Sequence, residues 1–220
     1  MEPENPLLDL FVLSLARTEN PRVCSLPTAS GDADAYSAKF YRSFASFRCR
    51  PADLLLYNRT VSDLTSFVAD QDVIYVGGGS TANLLALWKL HGLDDAILQA
   101  WEKGTVLCGI SAGMNCWFEA SVTDSFDLAT LAPLTDGLGI VKGSACPHYD
   151  GEPERRPTFR RLVQAGELPP GYAADDGAAL VFADGKFKEA VASRPAAKAY
   201  RVSPGDQEAN EQVLTTRYLG

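Results

Sequence analysis

Ser111 is the residue in this chain whose setting most invites chemistry. It stands in Gly109-Ile110-Ser111-Ala112-Gly113, a G-x-S-x-G run that follows the apolar segment Thr105-Val106-Leu107-Cys108 and opens a segment reading as helix. Small residues on both sides let the backbone turn tightly and hold the serine strained and exposed, as in a nucleophile elbow, with backbone N–H groups near the reacting oxygen. The competing reading is a plain tight turn, and the strand–turn–helix setting favours the nucleophile. A serine at neutral pH needs a base, usually imidazole. The chain holds two histidines. His91 ends the amphipathic run Leu84, Leu85, Trp88, where a cation suits a helix end. His148 follows an apolar segment in Cys146-Pro147-His148-Tyr149-Asp150, at an expected strand end, and is the better placed. The carboxylate that would orient it is Asp124, Asp175 or Asp176. All three lie in loop-like segments, where acids are as a rule solvated, and the residue pattern alone leaves the choice open.

Gly77-Gly78-Gly79-Ser80-Thr81 also leaves an apolar strand, Asp72 to Val76, and opens a helix. It is neither G-x-G-x-x-G nor a P-loop, since no lysine follows. Taken alone it is a glycine turn with Ser80 as N-cap. Beside an elbow, an N–H from this turn joins that of Ala112 as an oxyanion hole.

These groups need strand ends to carry them. Apolar runs at 23–26, 54–57, 72–76, 105–108 and 138–141 read as strands. They alternate with helical patterns around Leu7 to Leu15, Tyr36 to Phe44, Val61 to Val68, Leu84 to Trp88, Leu93 to Trp101 and a basic helix from Arg156 to Ala165. Such alternation predicts an α/β fold, a mostly parallel sheet with helices on both faces, whose ligands bind beyond the carboxyl ends of the strands. Leu180-Val181-Phe182 and Lys186-Phe187-Lys188 around Asp184-Gly185 predict a C-terminal antiparallel hairpin. Residues 198–202 add a strand, and the tail from Ser203 is expected to be loosely ordered. One domain over residues 1–220 is expected.

Composition narrows the function classes. Hydrophobic residues make up 46% and charged residues 22%, which suits a packed globular protein. A net charge of −8 repels phosphate, so neither nucleic acid nor an anionic membrane is an expected partner. No apolar stretch reaches the roughly 18 residues of a membrane span, and the acidic start Met1-Glu2-Pro3-Glu4 does not read as a signal peptide. Five cysteines without a C-x-x-C pair read as reduced thiols of a cytoplasmic protein. Zinc is not expected, with only two histidines in the chain.

From Val73 to Val202 the sequence resembles the peptidase E family of serine peptidases, whose relatives include cyanophycinase. The resemblance rests on Val76-Gly77-Gly78-Gly79-Ser80-Thr81, Gly109 to Asn115, Thr123-Asp124-Ser125, Pro147-His148-Tyr149 and Asp176-Gly177. It implies a flavodoxin-like sheet related to class I glutamine amidotransferases and cofactor-independent hydrolysis of short peptides, often dipeptides that begin with aspartate. It implies Ser111 as nucleophile, His148 as base, Asp176 as third member where peptidase E has glutamate, and the Gly79 and Ala112 N–H groups as oxyanion hole. Asp124 would support the site, and Arg155, in a segment crowded with Arg156, Arg160 and Arg161, would recognise the acidic substrate side chain. The chain departs from the family at Ser80, where asparagine is usual, and in starting almost at its first helix, without the strand and glycine-rich turn that members usually place before it. A lost strand would leave a sheet edge uncovered, and a homodimer is left open as the assembly. Two rivals are weighed: an amidotransferase-like amidase, disfavoured because that class has cysteine at the elbow, and a non-catalytic flavodoxin-like module that holds a small anion.

Overall fold

The structure is a computed structural model that describes all 220 residues. It forms two compact units, Met1–Gly113 and Met114–Gly220.

In the first unit, β1 (Arg22–Leu26), β2 (Arg50–Asp53), β3 (Val73–Val76) and β4 (Val106–Gly109) form an all-parallel sheet in the order β2-β1-β3-β4. Parallel strands buried on both faces need apolar residues throughout rather than alternation, and β3 is buried at all four positions. On one face, Val23, Val73 and Tyr75 pack with Phe40 and Phe44 of α2 (Asp34–Phe44) and with Val12 and Leu13 of α1 (Leu7–Ser14). Cys24, Leu26, Ile74 and Val76, whose side chains alternate to the other face, are equally buried. The remaining helices of this unit are α3 (Leu64–Ala69), α4 (Thr81–His91) and α5 (Leu93–Glu102), which bury Val68, Leu84, Trp88 and Ile97. The Ser80 hydroxyl accepts from Asn83 N at 3.2 Å and caps α4, a role that serine fills as well as asparagine. Gly92, left-handed at φ 68°, ends that helix.

The strand expected at Leu54 to Tyr57 lies four residues earlier, at β2. As the sheet edge, β2 tolerates Pro51. Leu54 and Leu56 are still buried, but as loop side chains. The Asp32 carboxylate holds this loop by accepting from the backbone N–H of Leu56 and of Tyr57 (2.7 Å).

A single helical turn, α6 (Ala112–Asn115), follows the elbow, where a full helix was expected. The second unit then runs β5 (Phe118–Thr123), β6 (Ala132–Leu134), β7 (Val141–Cys146), α7 (Arg155–Gln164), β8 (Gly171–Ala174), β9 (Ala178–Ala183), β10 (Lys186–Ala192), β11 (Ala199–Ser203), β12 (Asn210–Leu214) and β13 (Thr216–Tyr218). Its main sheet has the order β12-β11-β8-β7-β5-β6, parallel among β5, β7 and β8 and antiparallel at both margins. Phe159, Leu162 and Val163 of α7 pack in one cluster with Val122, Cys146, Ala173, Tyr200 and Val202. The hairpin β9–β10 turns at Asp184 (φ 53°) and Gly185 (φ 69°), two consecutive left-handed residues as a tight hairpin requires.

Two further expectations are corrected in this unit. The strand placed at Leu138 to Val141 begins where that run ends, at Val141. The tail from Ser203 is structured: β12 pairs antiparallel with β11, and β13 lies parallel to β10. Arginines of α7 account for its order. Arg156 pairs with Glu211, and Arg160 with Glu208 at 3.0 Å. Tyr149 Oη donates to Glu211 at 2.6 Å, and the Arg156 guanidinium lies 5.4 and 5.3 Å from the ring centres of Tyr149 and Tyr200. No helix of the chain is long and apolar enough to cross a membrane.

Candidate active site

In the first unit, Ser111 sits between β4 and α6 with φ 56°. A non-glycine residue is rarely left-handed, at a cost of about 1–3 kcal/mol that the surroundings must hold in place. The flanking glycines show how. A methyl group on Gly113 would lie 2.3 Å from Val76 O, and one on Gly109 would lie 2.4 Å from Gly113 O. The turn is thus folded so closely on itself and on β3 that no side chain fits at either position. Ile110 N donates to Val76 O at 3.1 Å and Gly113 N to Ile110 O at 2.8 Å, closing it. This is the strained backbone that G-x-S-x-G requires, and it leaves Ser111 partly exposed.

The glycine turn after β3 lies beside it. Gly78 faces Ser111 so closely that a methyl group there would stand 3.1 Å from the serine Cβ. Gly79 has φ 137°, and a methyl group on it would fall 2.1 Å from Ala29 O. Ser80 N donates to that carbonyl at 2.9 Å. The N–H groups of Gly79 and Ala112 donate to nothing within the protein. With α6 only one turn long, an anion at this place would be held by individual N–H groups, the helix dipole adding little.

In the second unit, His148 follows β7 with φ 55°. Its Nδ1 lies 2.7 Å from Asp176 Oδ1, a contact that fixes the ring and leaves Nε2 for proton transfer. The backbone holds both partners. Tyr149 N donates to Ala174 O at 3.0 Å and Glu152 N to His148 O at 3.1 Å. Asp176 N donates to Asp150 Oδ1 at 2.8 Å. A methyl group on Gly151 would lie 2.4 Å from Asp176 Oδ2, so only glycine lets that carboxylate approach. Asp150 and Gly151 were not singled out in the sequence. The aspartate–glycine pair two residues after His148 was the available signal.

The other candidate acids are engaged elsewhere. Asp175 Oδ2 accepts from Lys198 N (3.0 Å) and Tyr200 Oη (3.2 Å), and burial raises its carboxyl above the ordinary range. Asp124, at the end of β5, lies 3.6 Å from Arg155 Nη2. Arg155 is no solvated helix residue: its side chain is 3% exposed, with Nε on Glu152 at 2.7 Å and Nη1 on Val122 O at 3.3 Å. His91 occupies the last turn of α4. Burial raises the thiols of Cys108 and Cys116 far above their ordinary range, so neither is a ready thiolate. No group of histidine, cysteine and carboxylate side chains is arranged to hold a metal ion.

The first unit thus carries a serine elbow at the end of a parallel sheet, and the second carries a histidine–carboxylate pair. The chain belongs to peptidase family S51, which it matches over residues 1–190. It is 50% identical over 222 residues to the uncharacterized peptidase YgaJ of Bacillus subtilis (strain 168), covering all of this chain and 94% of that one. Peptidase E of Streptomyces coelicolor is 28% identical over 160 residues, covering 67% of this chain and 63% of that one. The crystal structure of a peptidase from an acI-B1 Actinobacterium shares the fold, with a TM-score of 0.70 at 22% identity, over 96% of this chain and 89% of that one.

Proposed function

We propose that the protein is a serine peptidase acting on short peptides through an acyl-enzyme. Ser111 attacks the scissile carbonyl while His148 Nε2 takes its proton. The N–H groups of Gly79 and Ala112 receive the oxyanion, each such donor being worth about 3 kcal/mol. His148 returns the proton to the leaving amine, and water resolves the ester by the same route. Asp176 holds the imidazole tautomer. The observation that carries this reading is the left-handed Ser111, held by Gly109 and Gly113 beside two unpaired N–H donors. Ser111→Ala tests it: hydrolysis of dipeptides is lost while the thermal midpoint is kept. Unchanged hydrolysis by a clean Ser111→Ala preparation contradicts it.

Within this reading, Arg155 sets a preference for an acidic residue beside the scissile bond, most of all an N-terminal aspartate. Family membership and the buried guanidinium support this. Of its partners, Asp124 is the most distant and is part-exposed, so it is the one with which a substrate carboxylate would compete. The comparison is kcat/KM for Asp-X against Asn-X, which are nearly isosteric. Asp-X is expected to be the better substrate, and Arg155→Lys to narrow the gap by disturbing bidentate pairing. Equal rates on Asp-X and Asn-X would remove the specificity and leave the serine peptidase intact.

A further inference from the structure

The N-terminal part of α2 reaches the serine. Tyr36 is half-buried, its ring packed against the apolar cluster that holds Phe40 and Tyr75. The same ring lies against the glycine turn, 3.1 and 3.2 Å from where a methyl group on Gly77 would stand. Its hydroxyl lies farther along that turn. A methyl group on Gly78 would stand 3.0 Å from Tyr36 Oη and 3.1 Å from Ser111 Cβ. The phenol and the serine thus border one carbon-sized gap, which exists because position 78 has no side chain. Tyr36 Oη makes no hydrogen bond within the protein. A phenol on a firmly packed ring, lacking a partner, is a ready donor, and tyrosine hydroxyls serve as oxyanion donors elsewhere.

We infer that Tyr36 is a further catalytic residue, whose hydroxyl donates a hydrogen bond to the substrate carbonyl oxygen as it becomes anionic at Ser111, beside the Gly79 and Ala112 N–H groups. This rests on Ser111 being the nucleophile. No proton is transferred and no bond to the tyrosine forms. Because the donor helps most when charge develops, its loss lowers kcat and leaves KM little changed. Gly78 has a second role here, keeping the space between phenol and serine open.

The test is Tyr36→Phe, which keeps the ring and its packing. Kcat on a dipeptide that the wild type cleaves is expected to fall by at least about tenfold, with KM and thermal midpoint little changed. The rate at which a fluorophosphonate labels Ser111 should fall with it, because the phosphoryl oxygen takes the oxyanion's place. A purely structural tyrosine would give wild-type kcat and labelling in Tyr36→Phe, and that result overturns the inference. Gly78→Ala is the second arm. Position 78 is not left-handed, so the backbone accepts alanine, and the methyl group should depress kcat by crowding both phenol and serine. Full activity in Gly78→Ala also overturns the inference. Hydrolysis by Ser111→Ala at the wild-type rate would instead remove the serine reading and this inference with it.

Discussion

At the scale of single residues, each unit's candidate segment uses backbone conformations that side chains normally avoid. Ser111 and His148 are both left-handed, and each has close-approach glycines nearby. Such strain persists only where neighbouring structure enforces it. It is the reason that two short motifs far apart in the chain carry so much information. The residue roles predict a ranking. His148→Ala and Asp176→Asn are each expected to lower kcat by about 10³–10⁴-fold, since in the proposed mechanism one removes the base and the other its tautomer control. His91→Ala, at a helix end, should leave kcat unchanged. Steady-state kinetics of the three variants check this, and a His91→Ala defect larger than that of His148→Ala would exchange their roles. The Asp176 contact has its own support in Asp150 and Gly151, so Gly151→Ala should also lower kcat, through a displaced carboxylate rather than a lost one.

At the scale of elements, the elbow and the tail each make a prediction. Gly113→Ala puts a methyl group 2.3 Å from the Val76 carbonyl, where backbone must move. A loss of about 1–3 kcal/mol in chemical denaturation, with loss of hydrolysis, is expected. The tail depends on Glu211. Burial pushes its carboxyl upward, but hydrogen bonds from Arg156 and Tyr149 outweigh burial and hold it below the ordinary 4.5. A lowered folded value stabilises the protein fully above the unfolded value, and the gain is lost as pH falls through the folded one. Glu211→Gln should therefore cost about 1–3 kcal/mol near neutral pH, with the difference from wild type closing as pH falls below the ordinary 4.5 and through the lowered folded value. A difference that does not change with pH would show that Glu211 acts only by shape. Tyr149 adjoins His148, so a loosened tail should also weaken catalysis.

These elements also mark what could be read from the sequence. The parallel strands β1, β3 and β4, the four helices α1, α2, α4 and α5 and the hairpin at Asp184-Gly185 were legible because their apolar runs and turn residues agree with their final state. β2 was misplaced because the most apolar run there, Leu54 to Tyr57, is a buried loop, while the strand itself contains Pro51. β5 and β8 are rich in small or polar residues, such as Glu119-Ala120-Ser121, and carry little hydrophobic signal. The tail's order comes from Arg156 and Arg160 reaching residues some fifty positions away, which no local pattern reveals. In the site, Ser111, His148 and the acid candidates could be named from motifs. Arg155 could be named too, though not its burial between Glu152 and Asp124. Tyr36 could be read only as a helix position.

At the scale of the whole molecule, charge constrains how a substrate arrives. The chain carries −8, and an Asp-X dipeptide is a net anion at neutral pH, whereas Ala-X is neutral. The long-range field therefore opposes the proposed substrate, and any preference for it must come from short-range pairing. Raising ionic strength from about 0.01 to 0.15 M shortens the screening length from about 30 to 8 Å, which weakens the repulsion more than a buried contact. The ratio of kcat/KM for Asp-X to that for Ala-X should rise over this range. A falling ratio would mean that long-range attraction, not a buried arginine, selects the substrate.

The central claim is that Ser111 is the nucleophile, and active-site labelling tests it most directly. The folded protein is treated with a fluorophosphonate, digested, and the modified peptide mapped by mass spectrometry. The account predicts one phosphonyl group, on Ser111, formed in step with loss of peptidase activity, and no labelling in His148→Ala. Complete inactivation with the label on another residue, or full peptidase activity in protein modified at Ser111, would contradict it.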